Sequence, residues 1–168
     1  MKNHLEHYQL LKNCFENHFP HSWIFYGPSG VGKYKFTIEF IRSICHSKNL
    51  NQNVLEVNNP ENPALVDDIR ELISKIKLTN SSTLIEKTFF LVHQMENLNI
   101  NCINALLKTI EEPPENTVII IFTNNLRNIP KTILSRCIKL KFKVNDSEDF
   151  NEIRAINEEN FLMSNYNP

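Results

Sequence analysis

A short segment near the amino-terminal end has the residue types and spacing of a phosphate-binding loop. It comprises Gly27, Pro28, Ser29, Gly30, Val31, Gly32 and Lys33. Its three glycines are the only ones in the 168-residue chain. In this G-x-x-x-x-G-K pattern, the glycines let several backbone N–H groups turn towards one anion, and the lysine adds a positive charge. The pattern predicts a site for a phosphate group; the alternative is a glycine turn beside an unrelated lysine.

The elements on either side of this loop are those that a phosphate-binding loop requires. The apolar run Ser22–Tyr26 predicts a short buried strand before the loop, and residues 33–46 are predicted to form a helix after it. The N-terminus of that helix would direct its dipole and its free N–H groups at the same anion. Strand, loop and helix together favour the phosphate-binding interpretation over a chance turn.

The residues that would hold Mg²⁺ and activate water beside such a loop are missing. Tyr34 stands directly after the lysine, where a Ser or Thr hydroxyl normally binds the metal. After the predicted strand Thr88–Val92, His93 and Gln94 occupy the positions of the metal-binding Asp and the water-activating Glu. Glu96 is the nearest carboxylate, and we expect it to point elsewhere. We predict no metal site, no required cofactor, and only weak binding of ATP, ADP or phosphate without Mg²⁺.

Structural roles account for the three substituted residues more simply than catalysis does. We interpret Tyr34 as a packing residue, and we expect the backbone to satisfy the hydrogen bonds of His93 at the end of its strand. Gln94 is expected to be a solvated polar residue. A glutamine has the size of a glutamate but cannot accept the proton of an attacking water, so the hydrolytic site is predicted to be inactive.

Composition and charge exclude several other classes of protein. Eighteen basic and nineteen acidic residues give a net charge of −1, which argues against a protein that acts mainly through a basic face on DNA. The four cysteines form no CxxC pair, so a zinc ribbon is excluded and free thiols in a reducing cytoplasm are expected. The apolar runs are too short to cross a membrane.

Alternating strands and helices predict an α/β domain of three layers with a central parallel sheet. The predicted strands are Ser22–Tyr26, Val54–Val57, Thr88–Val92, Thr117–Thr123 and residues 138–142. The predicted helices cover residues 5–19, 33–46, 66–78 and 100–110, with a turn at 134–137. Because the run 118–122 is β-branched and apolar on both faces, we place it in the middle of the sheet. Residues 1–142 form the predicted domain, and 143–168 form a polar tail with a weakly helical piece at 150–156.

Two later segments resemble signatures of the clamp-loader subunits of bacterial DNA polymerase III. Residues 104–117 read N-A-L-L-K-T-I-E-E-P-P-E-N-T, and residues 135–137 read S-R-C. The segments 21–25 and 66–72 also resemble this family, so the likeness extends from about residue 21 to residue 142. It implies a P-loop NTPase fold of the AAA+ kind. Asn124, at the end of a predicted strand, resembles a nucleotide-sensing residue, although it is equally consistent with a residue that caps a turn.

The missing catalytic residues indicate the delta-prime branch of this family, which often lacks the ATPase residues that gamma and tau keep. The resemblance implies a non-catalytic subunit that helps to load the sliding clamp onto DNA during replication. Its implied partners are the gamma/tau and delta subunits and, through the complex, the sliding clamp and primer-template DNA. Arg136 is implied to be an arginine finger that completes a neighbour's ATP site; the alternative is a surface arginine paired with a nearby acid.

The chain departs from the family in two respects. The four-cysteine zinc module expected before the second strand is missing, and residues 47–53 are predicted to form a simple loop. The tail has no room for the helical lid and collar, which implies a truncated or degenerate version, or assembly through the AAA+ face alone. The sequence leaves two other functions open. These are an active P-loop ATPase or small-molecule kinase, and a degenerate fragment that assembles with nothing.

Overall fold

The computed structural model describes residues 3–45, 53–58, 64–79 and 87–143, in which five parallel strands form one sheet. The strands are β1 (Ser22–Tyr26), β2 (Val54–Val57), β3 (Thr88–Val92), β4 (Thr117–Thr123) and β5 (Ile138–Lys141). The helices are α1 (Asn3–Asn17), α2 (Lys33–Ile44), α3 (Val66–Thr79), α4 (Ile100–Glu111) and the short α5 (Lys131–Leu134). The strand order is β2-β3-β4-β1-β5, and every neighbouring pair is parallel. The predicted α/β class and parallel sheet are confirmed.

Strand β4 lies in the centre of the sheet, as its composition predicts. All seven of its residues are buried. It pairs with β3 on one side and with β1 on the other. A strand that is covered on both faces needs apolar side chains in both directions, and the run of β-branched residues supplies them.

Alternate residues of the strands contribute to two hydrophobic cores, one on each face of the sheet. Val118, Ile120 and Phe122 of β4 belong to the first core, whereas Ile119 and Ile121 belong to the second. The first core is closed by α1 and α2, and its members include Tyr8, Leu11, Phe36, Phe40 and Ile41. The second is closed by α3, α4 and α5, and its members include Ile69, Ile76, Leu106, Ile110 and Ile133. This arrangement gives the three predicted layers.

Helix α4, which contains the long signature, begins and ends where its sequence indicates. Asn99 is the N-cap, and its side chain accepts a hydrogen bond from the N–H of Cys102. This bond satisfies one of the N–H groups that the first turn leaves free. The helix ends at Glu111, and a proline two positions farther on cannot continue it.

The observed elements differ from the predicted ones mainly at their ends. Helix α2 ends at Ile44, with Cys45 extended, and β5 ends one residue before Phe142. Residue 134, the first of the turn predicted at 134–137, belongs instead to helix α5. Residues 131–134 form one helical turn after Pro130. Residues 47–52 of the loop predicted at 47–53, and the helix predicted at 150–156, lie outside the described residues. Within the described part, no helix is both long and apolar enough to span a membrane.

Candidate functional site

The glycine loop lies between the carboxyl end of β1 and the start of α2. Gly27 is the first of its residues, and a Cβ atom there would collide with the backbone carbonyl oxygen of Phe142. Gly32 is the N-cap of α2 and has a φ of 83°, in the left-handed region that favours glycine. The two glycines therefore meet two different demands, a close approach of backbones and a left-handed helix start.

The Lys33 ammonium is held inside this loop. It donates hydrogen bonds to the carbonyl oxygens of Gly27 at 2.6 Å and Pro28 at 2.8 Å, and to Oδ1 of Asn124 at 3.3 Å. Burial lowers the pKa of Lys33, and the nearby charge of Glu96 partly opposes this shift. The structure thus brings the predicted lysine and the predicted Asn124 together at one site.

The turn after β4 is capped by Asn125, the neighbour of Asn124. The side chain of Asn125, not that of Asn124, accepts a hydrogen bond from the N–H of Arg127 and caps the following turn. The side chain of Asn124 instead faces Lys33 across the loop. Asn124 therefore lines the cleft beside the phosphate loop.

Tyr34 and His93, which occupy the sequence positions expected for metal ligands, form a hydrogen-bonded group with Glu56. The hydroxyl of Tyr34 donates to Oε1 of Glu56 at 2.8 Å, and Nε2 of His93 lies 3.0 Å from Oε2 of the same carboxylate. The rings of Tyr34 and His93 are 5.2 Å apart, and both rings lie near that of Phe122. The expectation that the backbone satisfies the His93 ring is wrong, because Glu56 on the adjacent strand β2 bonds to it.

This Tyr34–Glu56–His93 group does not suit Mg²⁺. Both oxygens of the only acid in the group are engaged, and the tyrosine hydroxyl is directed at that acid. Burial and the bond to Glu56 raise the pKa of Tyr34 to about 12, so its hydroxyl stays protonated at neutral pH. Among the described residues, no three His, Cys, Asp or Glu side chains come together as a possible metal site.

Gln94 and Glu96 occupy a tight turn at the end of β3. Gln94 has a φ of 40°, and its side-chain oxygen accepts a hydrogen bond from Asn97. Glu96 Oε1 accepts a hydrogen bond from the N–H of Asn124 at 3.1 Å. The expectation that Glu96 points elsewhere is wrong, because the 3-10 turn over residues 95–97 directs this side chain back towards the phosphate loop.

These residues enclose a cleft of about 360 Å³ above the carboxyl ends of β3 and β4. It is lined by Ser29, Gly30, Gly32, Lys33, Tyr34, Lys35, His93, Gln94, Glu96, Phe122, Thr123 and Asn124. One side consists of the glycine loop and the first turn of α2, whose N–H groups and dipole suit an anion. The opposite side has the carboxylate of Glu96 and no acidic pair. The cleft fits a phosphate group better than it fits a metal–nucleotide complex.

Arg136 lies away from this cleft, directly after α5. Its Nη2 is 3.0 Å from Oε1 of Glu111, and its Nη1 donates to the carbonyl oxygen of Thr132 and to the hydroxyl of Ser135. The side chain is 41% exposed. In this chain the arginine therefore does not reach its own phosphate loop, and its outer surface faces solvent.

The fold and this site define a P-loop domain of the AAA+ class. The protein-family profile described as "DNA polymerase III, delta subunit" matches residues 3–146. The chain belongs to this family of clamp-loader subunits of DNA polymerase III.

Individual relatives come from more than one branch of the family. The chain is 30% identical over 154 residues to DNA polymerase III subunit tau of Bacillus subtilis, covering 80% of this chain and 27% of tau. It is 28% identical over 139 residues to subunit delta' of Pseudomonas aeruginosa, covering 71% of this chain and 42% of that protein. A crystal structure of a gamma-subunit-related protein from Thermotoga maritima superposes with a TM-score of 0.69 at 27% identity, covering 86% and 48% of the two chains. The chain thus spans less than half the length of each of these relatives.

The sequence interpretation missed Glu56 and Asn58. Glu56 is an acid within the otherwise apolar strand β2, and that irregularity was the available signal. Asn58 has a φ of 57° and donates hydrogen bonds to the carbonyl oxygens of His93 and Gln94. It thereby fixes the turn at the end of β3, a role that no local pattern indicates.

Proposed function

We propose that this chain is a non-catalytic clamp-loader subunit of the delta-prime type. The observation that supports the proposal best is the Tyr34–Glu56–His93 group. Its polar atoms are hydrogen-bonded to one another, so they do not offer ligands to a metal. Loss of the metal and of the acid that activates water removes the groups that stabilise the transition state of phosphoryl transfer. What the chain retains is the rigid three-layer domain and the surfaces that face its neighbours.

Within a loader ring, Arg136 is proposed to serve the ATP site of the adjacent subunit. The guanidinium stands on a short turn between two buried residues, Ile133 and Cys137, so its base is firmly held. A planar and permanently charged group on a rigid support suits the stabilisation of charge on a γ-phosphate. Through the gamma/tau and delta subunits, the chain would act on the sliding clamp and primer-template DNA in the cytoplasm.

The phosphate loop is proposed to bind ATP, ADP or inorganic phosphate weakly and without Mg²⁺. Lys33 and the N-terminus of α2 provide positive potential, and both carboxylate oxygens of Glu56 in the Tyr34–Glu56–His93 group are already engaged in hydrogen bonds. Bound phosphate would stabilise the glycine loop without being hydrolysed. No cofactor is required for the structural role.

The proposal is tested by comparing the isolated chain with a reconstituted loader. The chain alone is expected to show no Mg²⁺-dependent ATP turnover above a Lys33→Ala control. Added to the gamma or tau subunit and delta of the same organism, it is expected to co-elute with them and to raise their clamp-stimulated ATPase rate. The variant Arg136→Ala should still co-elute but lower turnover at the adjacent ATP site by about 10³-fold or more, the range typical of arginine fingers. Failure to co-elute would favour the degenerate fragment and refute the proposal.

One observation favours a second function, that of an active ATPase. Glu96 reaches the cleft and is hydrogen-bonded to Asn124, where it could take the role of the missing base. Measurable turnover by the isolated chain that Glu96→Gln abolishes, with phosphate binding unchanged, would establish this second function.

A further inference from the structure

The long signature and the S-R-C segment meet in space through one ion pair. Glu111 is the last residue of α4 and the first glutamate of the E-E-P-P sequence. Its Oε1 lies 3.0 Å from Nη2 of Arg136. Both residues are held at their bases, because Ile110 beside Glu111 and Cys137 beside Arg136 are buried in the second core. Two segments that are separate in the sequence therefore fix one guanidinium between them.

The contacts leave part of the guanidinium available. An arginine carries five N–H donors in a fixed planar arrangement. In the described part of the chain, Nη1 makes two hydrogen bonds, to Thr132 and Ser135, and Nη2 forms an ion pair with Glu111. Among the described residues, Nε has no hydrogen-bond acceptor, and the side chain is partly exposed. Donors of the guanidinium therefore remain for an acceptor outside the chain, such as a phosphate.

We propose that Glu111 is a positioning residue for Arg136, holding its guanidinium so that its remaining donors face the neighbouring subunit. The inference rests on the proposed role of Arg136 as an arginine finger. An ion pair as exposed as this one contributes little to folding stability, so its effect is expected in orientation. A guanidinium that is already oriented loses less conformational freedom when it reaches the transition state.

The test uses a reconstituted loader that contains the full chain and measures kcat and KM for ATP. Glu111→Ala is expected to lower kcat roughly tenfold and to leave KM unchanged, because the finger acts on the transition state. Glu111→Gln keeps an acceptor oxygen and should retain more of the rate, about a two- to threefold loss. Glu112→Gln is the matched control: this neighbouring glutamate is exposed, and its removal should change neither constant. Combined with Arg136→Ala, the Glu111→Ala change should cause no further loss.

Each outcome separates the inference from the proposed function. If Arg136→Ala leaves the rate unchanged, the arginine-finger role is refuted and the inference falls with it. If Arg136→Ala lowers the rate but Glu111→Ala does not, only the inference is refuted. A higher rate in Glu111→Ala would mean that Glu111 restrains the arginine instead of positioning it. If the double variant Glu111→Ala/Arg136→Ala loses as much rate as the two single variants combined, Glu111 acts through folding and the inference is refuted. In the isolated chain, nitrogen-15 NMR should show slowed guanidinium rotation at Arg136 that Glu111→Ala removes; unchanged rotation would also refute the inference.

Discussion

Replacing Gly27 by alanine tests how the phosphate loop depends on the end of the sheet. Gly27 has a φ of 151°, which an alanine adopts only with strain, and the new Cβ would meet the backbone of Phe142. The N–H of Phe142 donates a hydrogen bond to the carbonyl oxygen of Tyr26 at 2.7 Å, and this bond restricts movement of the Phe142 backbone away from Gly27. The strain costs about 1–3 kcal/mol, and displacement of well-packed backbone costs about 1–3 kcal/mol more. We expect Gly27→Ala to lower the free energy of unfolding by about 2–6 kcal/mol.

Gly30→Ala is the matched control for this substitution. Gly30 also has a positive φ, of 80°, but no atom lies within 4 Å of the position of an added Cβ. Only the left-handed backbone opposes the change, at about 1–2 kcal/mol. Because Gly30 lines the cleft, its new methyl group would occupy space that a bound phosphate needs. Gly30→Ala should therefore fold nearly normally and lose phosphate binding.

Urea unfolding followed by tryptophan fluorescence measures the first effect, and titration calorimetry with inorganic phosphate measures the second. With a slope of about 2 kcal/mol/M, the unfolding midpoint of Gly27→Ala should fall by about 1–3 M, and that of Gly30→Ala by less than half as much. Equal losses of stability in the two variants would refute the argument from the Phe142 carbonyl. Unchanged phosphate binding in Gly30→Ala would show that the loop does not bind the anion as proposed.

Three further predictions follow from single side chains. Burial and the bond to Glu56 raise the pKa of Tyr34 from an ordinary value of 10 to about 12. The protonated hydroxyl therefore contributes stability below pH 10, and this contribution is lost as the pH rises towards 12. The urea midpoints of the wild type and Tyr34→Phe should converge over that range. Burial raises the pKa of Cys137 to about 11, so about one molecule in a thousand carries the thiolate at pH 8. Labelling of Cys137 by a disulfide reagent should therefore wait for unfolding. Cys102 is buried as well, so Cys137→Ser should halve the amplitude of this slow phase. Asn99→Ala removes the cap of α4 and should lower the free energy of unfolding, measured in urea, by about 1 kcal/mol. The control Asn101→Ala, at an exposed position on the same helix, should have a smaller effect.

The elements that could be predicted are those with a strong local pattern. The strand Thr117–Thr123 and its central place follow from a run of buried β-branched residues, and the start of α4 follows from Asn99 before an apolar periodicity. The ends of the strands and helices were less predictable. Strand β5 ends at Lys141 although Phe142 is also buried, because the backbone of Phe142 passes close to Gly27. That close approach involves residues 115 positions apart, and no local pattern records it.

Three features can be read from local sequence: the glycine loop, the order of strands and helices along the chain, and the absence of the usual acids after β3. Each of these depends on residue types within a few positions of one another. Three contacts follow only from the three-dimensional fold. They are the hydrogen bonds of Glu56 with Tyr34 and His93, the turn of Glu96 into the cleft, and the ion pair of Glu111 with Arg136. These contacts exist because parallel strands bring their carboxyl ends to one edge of the sheet, and because helices α4 and α5 pack on the same face. The partners are chosen by strand order and packing, which act between residues that are distant along the chain.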